Sequence, residues 1–187
     1  MVIGDRLLWV GFSTVVAATF TACADAPALS EAEVVNTVEA AILESLGSPP
    51  YKHPFGNVEA LCVESPPVPQ LYGEHQSGED EIYVYPLTSL TSEVLVELRA
   101  RLSEVTGLRI HDISGCGGWL PDDDSREIYE REDGAPALLI ELFQPTVAKS
   151  GGHLVQVAVV AGGLWGWVDR CVVSTGVPTE CTRVLTS

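Results

Sequence analysis

The fold is decided by residues 154–185, LVQVAVVAGGLWGWVDRCVVSTGVPTECTRVL. Three short runs rich in Val and other β-formers are separated by Gly162-Gly163 and by a turn at Gly176, so the stretch predicts strands at about 154–160, 164–174 and 180–185. Short links between successive strands make this C-terminal half an antiparallel meander. Cys171 and Cys181 lie symmetrically about Gly176. A turn centred there sets them opposite each other, within the roughly 3.8 Å between Cβ atoms that a disulfide requires.

Upstream, further strands are expected at about 58–63, 81–85, 108–113, 127–130 and 137–143, with turn residues between them. Two helices are also legible. Ser30-Glu31-Ala32-Glu33 has the form of a capping box, and Val34, Val38, Ile42 and Leu46 recur every fourth residue before Gly47 and Pro49 stop the run. Thr91-Ser92-Glu93 opens the second, whose apolar positions are Val94, Leu95, Leu98, Leu102 and Val105, with Gly107 at its end. Two amphipathic helices and a meander predict an α+β domain, an antiparallel β-sheet covered on one face by the helices. Residues 48–80 carry six prolines and three glycines and read as a proline-rich loop.

The chain begins with a short polar segment containing Arg6, followed by an uncharged apolar run from Leu7 to Ala22. That order is an export leader. Its 16 residues fall short of the roughly 20 that a helix needs to span a bilayer. The leader closes on Phe20-Thr21-Ala22-Cys23. This resembles the lipobox of bacterial lipoproteins, with Phe20 where that family usually carries Leu. The resemblance implies cleavage of residues 1–22, fatty acyl chains on Cys23, and a membrane as partner through that anchor. Residues 23–29 would then be a lipidated tether and 30–187 a single domain outside the cytoplasm. Ordinary cleavage after a small residue and an uncleaved anchor are the alternatives. The C-terminal stretch, with its Gly-Leu-Trp-Gly turn and final hairpin, looks like the end of many small exported bacterial domains.

Ten basic residues against 26 acidic ones give a net charge of −16, and removing the leader leaves it unchanged. Such a field repels phosphate backbones, so nucleic acid is excluded as a partner, while a protein, peptide or small-molecule ligand remains open. With Cys23 carrying lipid, four cysteines are left, an even number that suggests two disulfides in an exported chain. Three pairings are formally possible. Cys171 with Cys181 has the hairpin's support, and Cys62 with Cys116 follows by elimination.

The sequence carries no motif for a cofactor or metal. The acidic run Asp122-Asp123-Asp124 fails the calcium-loop pattern, since the sixth position is Glu127 where glycine is needed. The histidines at 53, 75, 111 and 153 lack zinc spacing. No nucleophile elbow, redox Cys pair, phosphate loop or His-Glu-x-x-His helix is present, so no catalytic residue is assigned. Trp165 and Trp167, two apart on one strand, share a face and form either a ligand platform or part of the packing under the helices. The expected role is non-enzymatic binding or structure. The alternative is an envelope hydrolase built around His111, Asp112 and the acidic turn.

Overall fold

The computed structural model describes residues 28–53, 56–66, 88–118, 127–148, 151–162 and 165–186. The expected leader, Cys23, most of the expected tether, the expected strand at 81–85 and the acidic turn at 121–125 lie outside them.

Helix α1 (Glu31–Leu46) begins as its sequence demands: the Ser30 hydroxyl accepts from the Glu33 amide, and the Glu33 carboxylate accepts from the Ser30 amide at 2.9 Å. Gly47 closes it with φ of 75°, a left-handed backbone that glycine adopts without a Cβ clash. Two dipeptide strands, β1 (Lys52–His53) and β2 (Gly56–Asn57), form a small hairpin, and β3 (Ala60–Glu64) follows. Helix α2 (Ser92–Thr106) is capped by the Thr91 hydroxyl and ends at Gly107. Then come β4 (Arg109–His111), a 3-10 turn at Ile113–Gly115, β5 (Cys116–Gly117), β6 (Tyr129–Glu130), β7 (Ala137–Leu142), β8 (Thr146–Val147), β9 (His153–Gly162), β10 (Trp165–Ser174) and β11 (Val177–Thr186).

The main sheet runs β11-β10-β9-β7-β3-β4, with β8 paired to β9, so the domain is α+β with a C-terminal meander. It is mixed, however, and not wholly antiparallel. Strand β3 pairs parallel with both β4 and β7. The connection from β3 to β4 contains α2, and a parallel pair requires a long crossover of that kind. The short run at 129–130 leaves the main sheet and pairs with β5 in a separate ribbon.

Both helices lie on one face. Leu61 and Val63 of β3, Leu138 and Ile140 of β7, Val157 and Val159 of β9 and Cys171 of β10 meet Val38 and Ile42 of α1 and Leu98 and Leu102 of α2 in the larger core. The opposite face buries a smaller cluster, Ala60, Cys62, Ala137 and Leu139 against Cys116 and Ile128 of the ribbon segment. Alternation along each strand supplies these two apolar faces, since successive side chains point to opposite sides.

Both expected disulfides are present. Cys171 and Cys181 are directly opposite partners across β10 and β11, with Cα atoms 4.0 Å apart. Cys62 and Cys116, Cα atoms 6.3 Å apart, fasten the ribbon to the sheet. Two disulfides in one domain are the chemistry of an oxidising, extracytoplasmic compartment. Among the described residues no helix is long and apolar enough to cross a membrane.

Candidate functional site

Trp165 and Trp167 share a strand but not an environment. The β9–β10 register slips between Trp165 and Gly166, which breaks strict alternation. Gly166 sits so close to β9 that an added Cβ would stand 2.7 Å from the Val159 carbonyl oxygen. Trp167 turns under α1, where its Nε1 donates to Ser45 Oγ at 3.3 Å. Ser45 Oγ in turn donates to Asp169 Oδ2 at 2.6 Å. Arg183 closes the network from β11, donating through Nε to Asp169 Oδ1 at 2.9 Å and through a terminal nitrogen to Oδ2 at 3.1 Å. Its guanidinium lies 4.8 Å from the Trp167 ring centroid, within cation–π range. Asp169 is only 3% exposed, so this bidentate partner is what makes its burial tolerable. Trp165 is 57% exposed. One ring therefore packs against a helix, and the other stands in solvent.

Adjacent strand residues point to opposite faces, and His111 and Asp112 do not pair. Asp112 accepts from the Ser114 amide at 2.9 Å and from the Ser114 hydroxyl at 2.5 Å, capping the 3-10 turn. His111 instead directs Nε2 to Glu130 Oε1 at 2.5 Å. Glu130 is 1% exposed and also meets Arg109 at 2.7 Å through Oε2. Neither contact is a hydrogen bond, so His111 Nε2 and both Glu130 carboxylate oxygens have no hydrogen-bond partner among the described residues. Arg109 extends the cluster to Asp133 at 2.5 Å and Glu59 at 3.3 Å. The Arg109 guanidinium holds the Asp133 carboxyl below the usual carboxylate range.

The disulfide assembles this cluster. His111 is in register with Cys62 across β3 and β4, and Glu130 with Cys116 across β5 and β6, so the Cys62–Cys116 bridge brings imidazole and carboxylate together. An imidazole against a buried carboxylate is a pair suited to proton transfer. Ser114, the nearest hydroxyl along the chain, is bonded to Asp112. The sequence places Glu130 only beside the acidic turn; the pairing of β5 with β6 and the Cys62–Cys116 bridge bring it to His111.

A second carboxylate pair went unread in the sequence. Glu64 and Glu141 are directly opposite on the parallel strands β3 and β7. Glu64 is pushed up to about 7, first by burial and then by the Glu141 charge and the hydrogen bond between the two side chains, while Arg99 opposes the rise. Burial raises Glu141 as well. Burial and mutual repulsion thus favour one proton shared by the pair.

At the N-terminal end of α1 lies a groove of about 310 Å³ whose walls include Leu29, Val34, Gln144, Pro145, Val147 and His153. Among the described residues no group of three or more His, Cys, Asp or Glu is placed to hold a metal. No protein-family model, curated protein or solved structure matches the chain.

Proposed function

We propose that this chain is an exported protein held on a bacterial membrane by fatty acyl chains on Cys23, and that its domain serves a non-enzymatic binding role. The exposed Trp165 indole carries the binding reading. A large amphipathic ring loses little conformational freedom on association and supplies much apolar contact area, which is why tryptophan recurs at binding hot spots. The ring is held on a strand whose next inward residue, Trp167, is locked by Ser45 and Arg183. The net charge of −16 disfavours anionic ligands and leaves an uncharged or basic peptide, protein patch or small molecule as the occupant. The two disulfides and the lipobox-like leader support the address.

Two experiments test the reading. Cys23→Ser should move the protein from the detergent phase to the aqueous phase, and unchanged partitioning counts against lipidation. A photo-crosslinking residue at position 165 should give a discrete adduct in intact cells. Labelling no different from that at exposed Val96 removes Trp165 as the contact.

A second reading, an envelope hydrolase, is favoured by one observation, the approach of His111 to buried Glu130. Under it, the purified protein cleaves a chromogenic ester or glycoside, and His111→Gln abolishes the activity in protein whose circular-dichroism spectrum remains that of the folded chain.

A further inference from the structure

From Cys23 to Ala28 there are five residues, which extend to at most about 18 Å. The headgroup layer takes up about 6 Å of that on each side of a bilayer. A domain of this size has a radius of gyration of about 15 Å, so it cannot rotate the end carrying Ala28 away from the membrane.

That end carries two of the exposed aliphatic side chains, Val147 and Val177. Val147 is opposite His153 across β8 and β9, and His153 is opposite Val173 across β9 and β10. Ser174, the next residue, pairs with Val177 at the start of β11. One edge of the sheet thus carries Val147, 56% exposed, and Val177, 58% exposed, beside the groove that Leu29 and Pro145 line. His153 lies near enough to Glu33 to add a small downward pull on that carboxyl, whose main cause is the Ser30 hydroxyl, so α1 starts at this same edge.

We infer that this edge, with Leu29, Pro145, Val147 and Val177, rests in the headgroup layer of the bilayer that holds Cys23 and sets the domain upright. The inference depends on the lipid-anchor reading. Nine residue steps separate Ser174 from Trp165 along β10, about 30 Å at strand rise, so Trp165 is presented away from the membrane. The exposed Glu31 at the same end, together with the acidic domain behind it, makes a zwitterionic headgroup the suitable surface.

The test uses the full-length lipidated protein on vesicles of zwitterionic phospholipid containing a headgroup spin-labelled lipid. Val147→Cys, Val177→Cys and Val105→Cys variants each carry a small fluorophore on the new thiol. Val105 is exposed in the last turn of α2, close to β4, whose first residue pairs with Ala60 at the far edge of the sheet. Fluorescence at 147 and 177 should be quenched at least about twofold more than at 105, as shallow insertion of about 5–10 Å requires. Equal quenching at all three, with the protein still floating with the vesicles, overturns the inference and leaves the anchor standing. Failure to float overturns the anchor reading and the inference together.

Discussion

Replacing Glu141 with Gln should flatten the dependence of stability on pH between about 5 and 8. The folded chain holds a proton on Glu64 more tightly than the unfolded chain does, because its pKa rises from 4.5 to about 7. A raised folded-state pKa gives stability that is complete below the unfolded value and is lost as pH climbs through the folded one. Wild-type protein should therefore weaken as pH passes from 5 to 8. At 1.36 kcal/mol per unit the full shift corresponds to about 3 kcal/mol. Glu64 is partly open to solvent, and discounting by about half for screening leaves about 1.5 kcal/mol. Glu141→Gln keeps a hydrogen-bonding group beside Glu64 and deletes the like charge, the second cause of the shift. Burial remains, so part of the slope survives. At pH 8 the variant should be more stable than wild type by about 0.5–1 kcal/mol, roughly 2–3 °C in melting temperature for a domain of this size. Urea unfolding at half-unit pH intervals measures this. An unchanged slope, or a variant less stable than wild type at pH 8, refutes the shared-proton account.

Three further outcomes are expected. In the chain-entropy model, opening Cys62–Cys116, with a sequence separation of 54, should cost about 4 kcal/mol, against about 3 kcal/mol for Cys171–Cys181, with a separation of 10. Denaturant midpoints of the paired Cys→Ser variants decide the order. Arg183→Ala leaves Asp169 buried with Ser45 as its remaining partner, so it should destabilise by about 2 kcal/mol and alter Trp167 fluorescence, whereas Arg183→Lys should restore only part of both. Trp165→Ala, at a ring mostly in solvent, should change melting temperature by less than about 2 °C; a larger loss means that the indole serves the fold.

Acidification works in the opposite direction for another set of groups. Asp112 and Asp133 are held below their ordinary range by Ser114 and Arg109 respectively. Their contribution is present above the unfolded pKa of about 3.9 and is lost as pH falls below it. Stability should therefore peak between the two losses, at about pH 5, and a maximum above pH 7 contradicts the assignment.

Local chemistry was legible in the chain itself. Ser30 and Glu33 are three residues apart and find each other within one helical turn, so the start of α1 is written in four residues. Gly176 sets the β10–β11 turn, and the equal spacing of Cys171 and Cys181 about it points to their pairing, which a register shift between Val172 and Ser174 completes. The apolar stripes of both helices follow from the 3.6-residue repeat. What the tertiary structure decided involves segments brought side by side across long stretches of chain. Parallel pairing of β3 with β4 depends on the crossover through α2, and its separate parallel pairing with β7 places Glu64 against Glu141. His111 reaches Glu130 only because the Cys62–Cys116 bridge lays a two-stranded ribbon over β3 and β4. The separation of Trp165 from Trp167 rests on a register slip against β9, and an alternating pattern contains no record of its partner's register. Periodicity specifies which side of a strand is buried; the neighbour that buries it is chosen by packing across the whole fold.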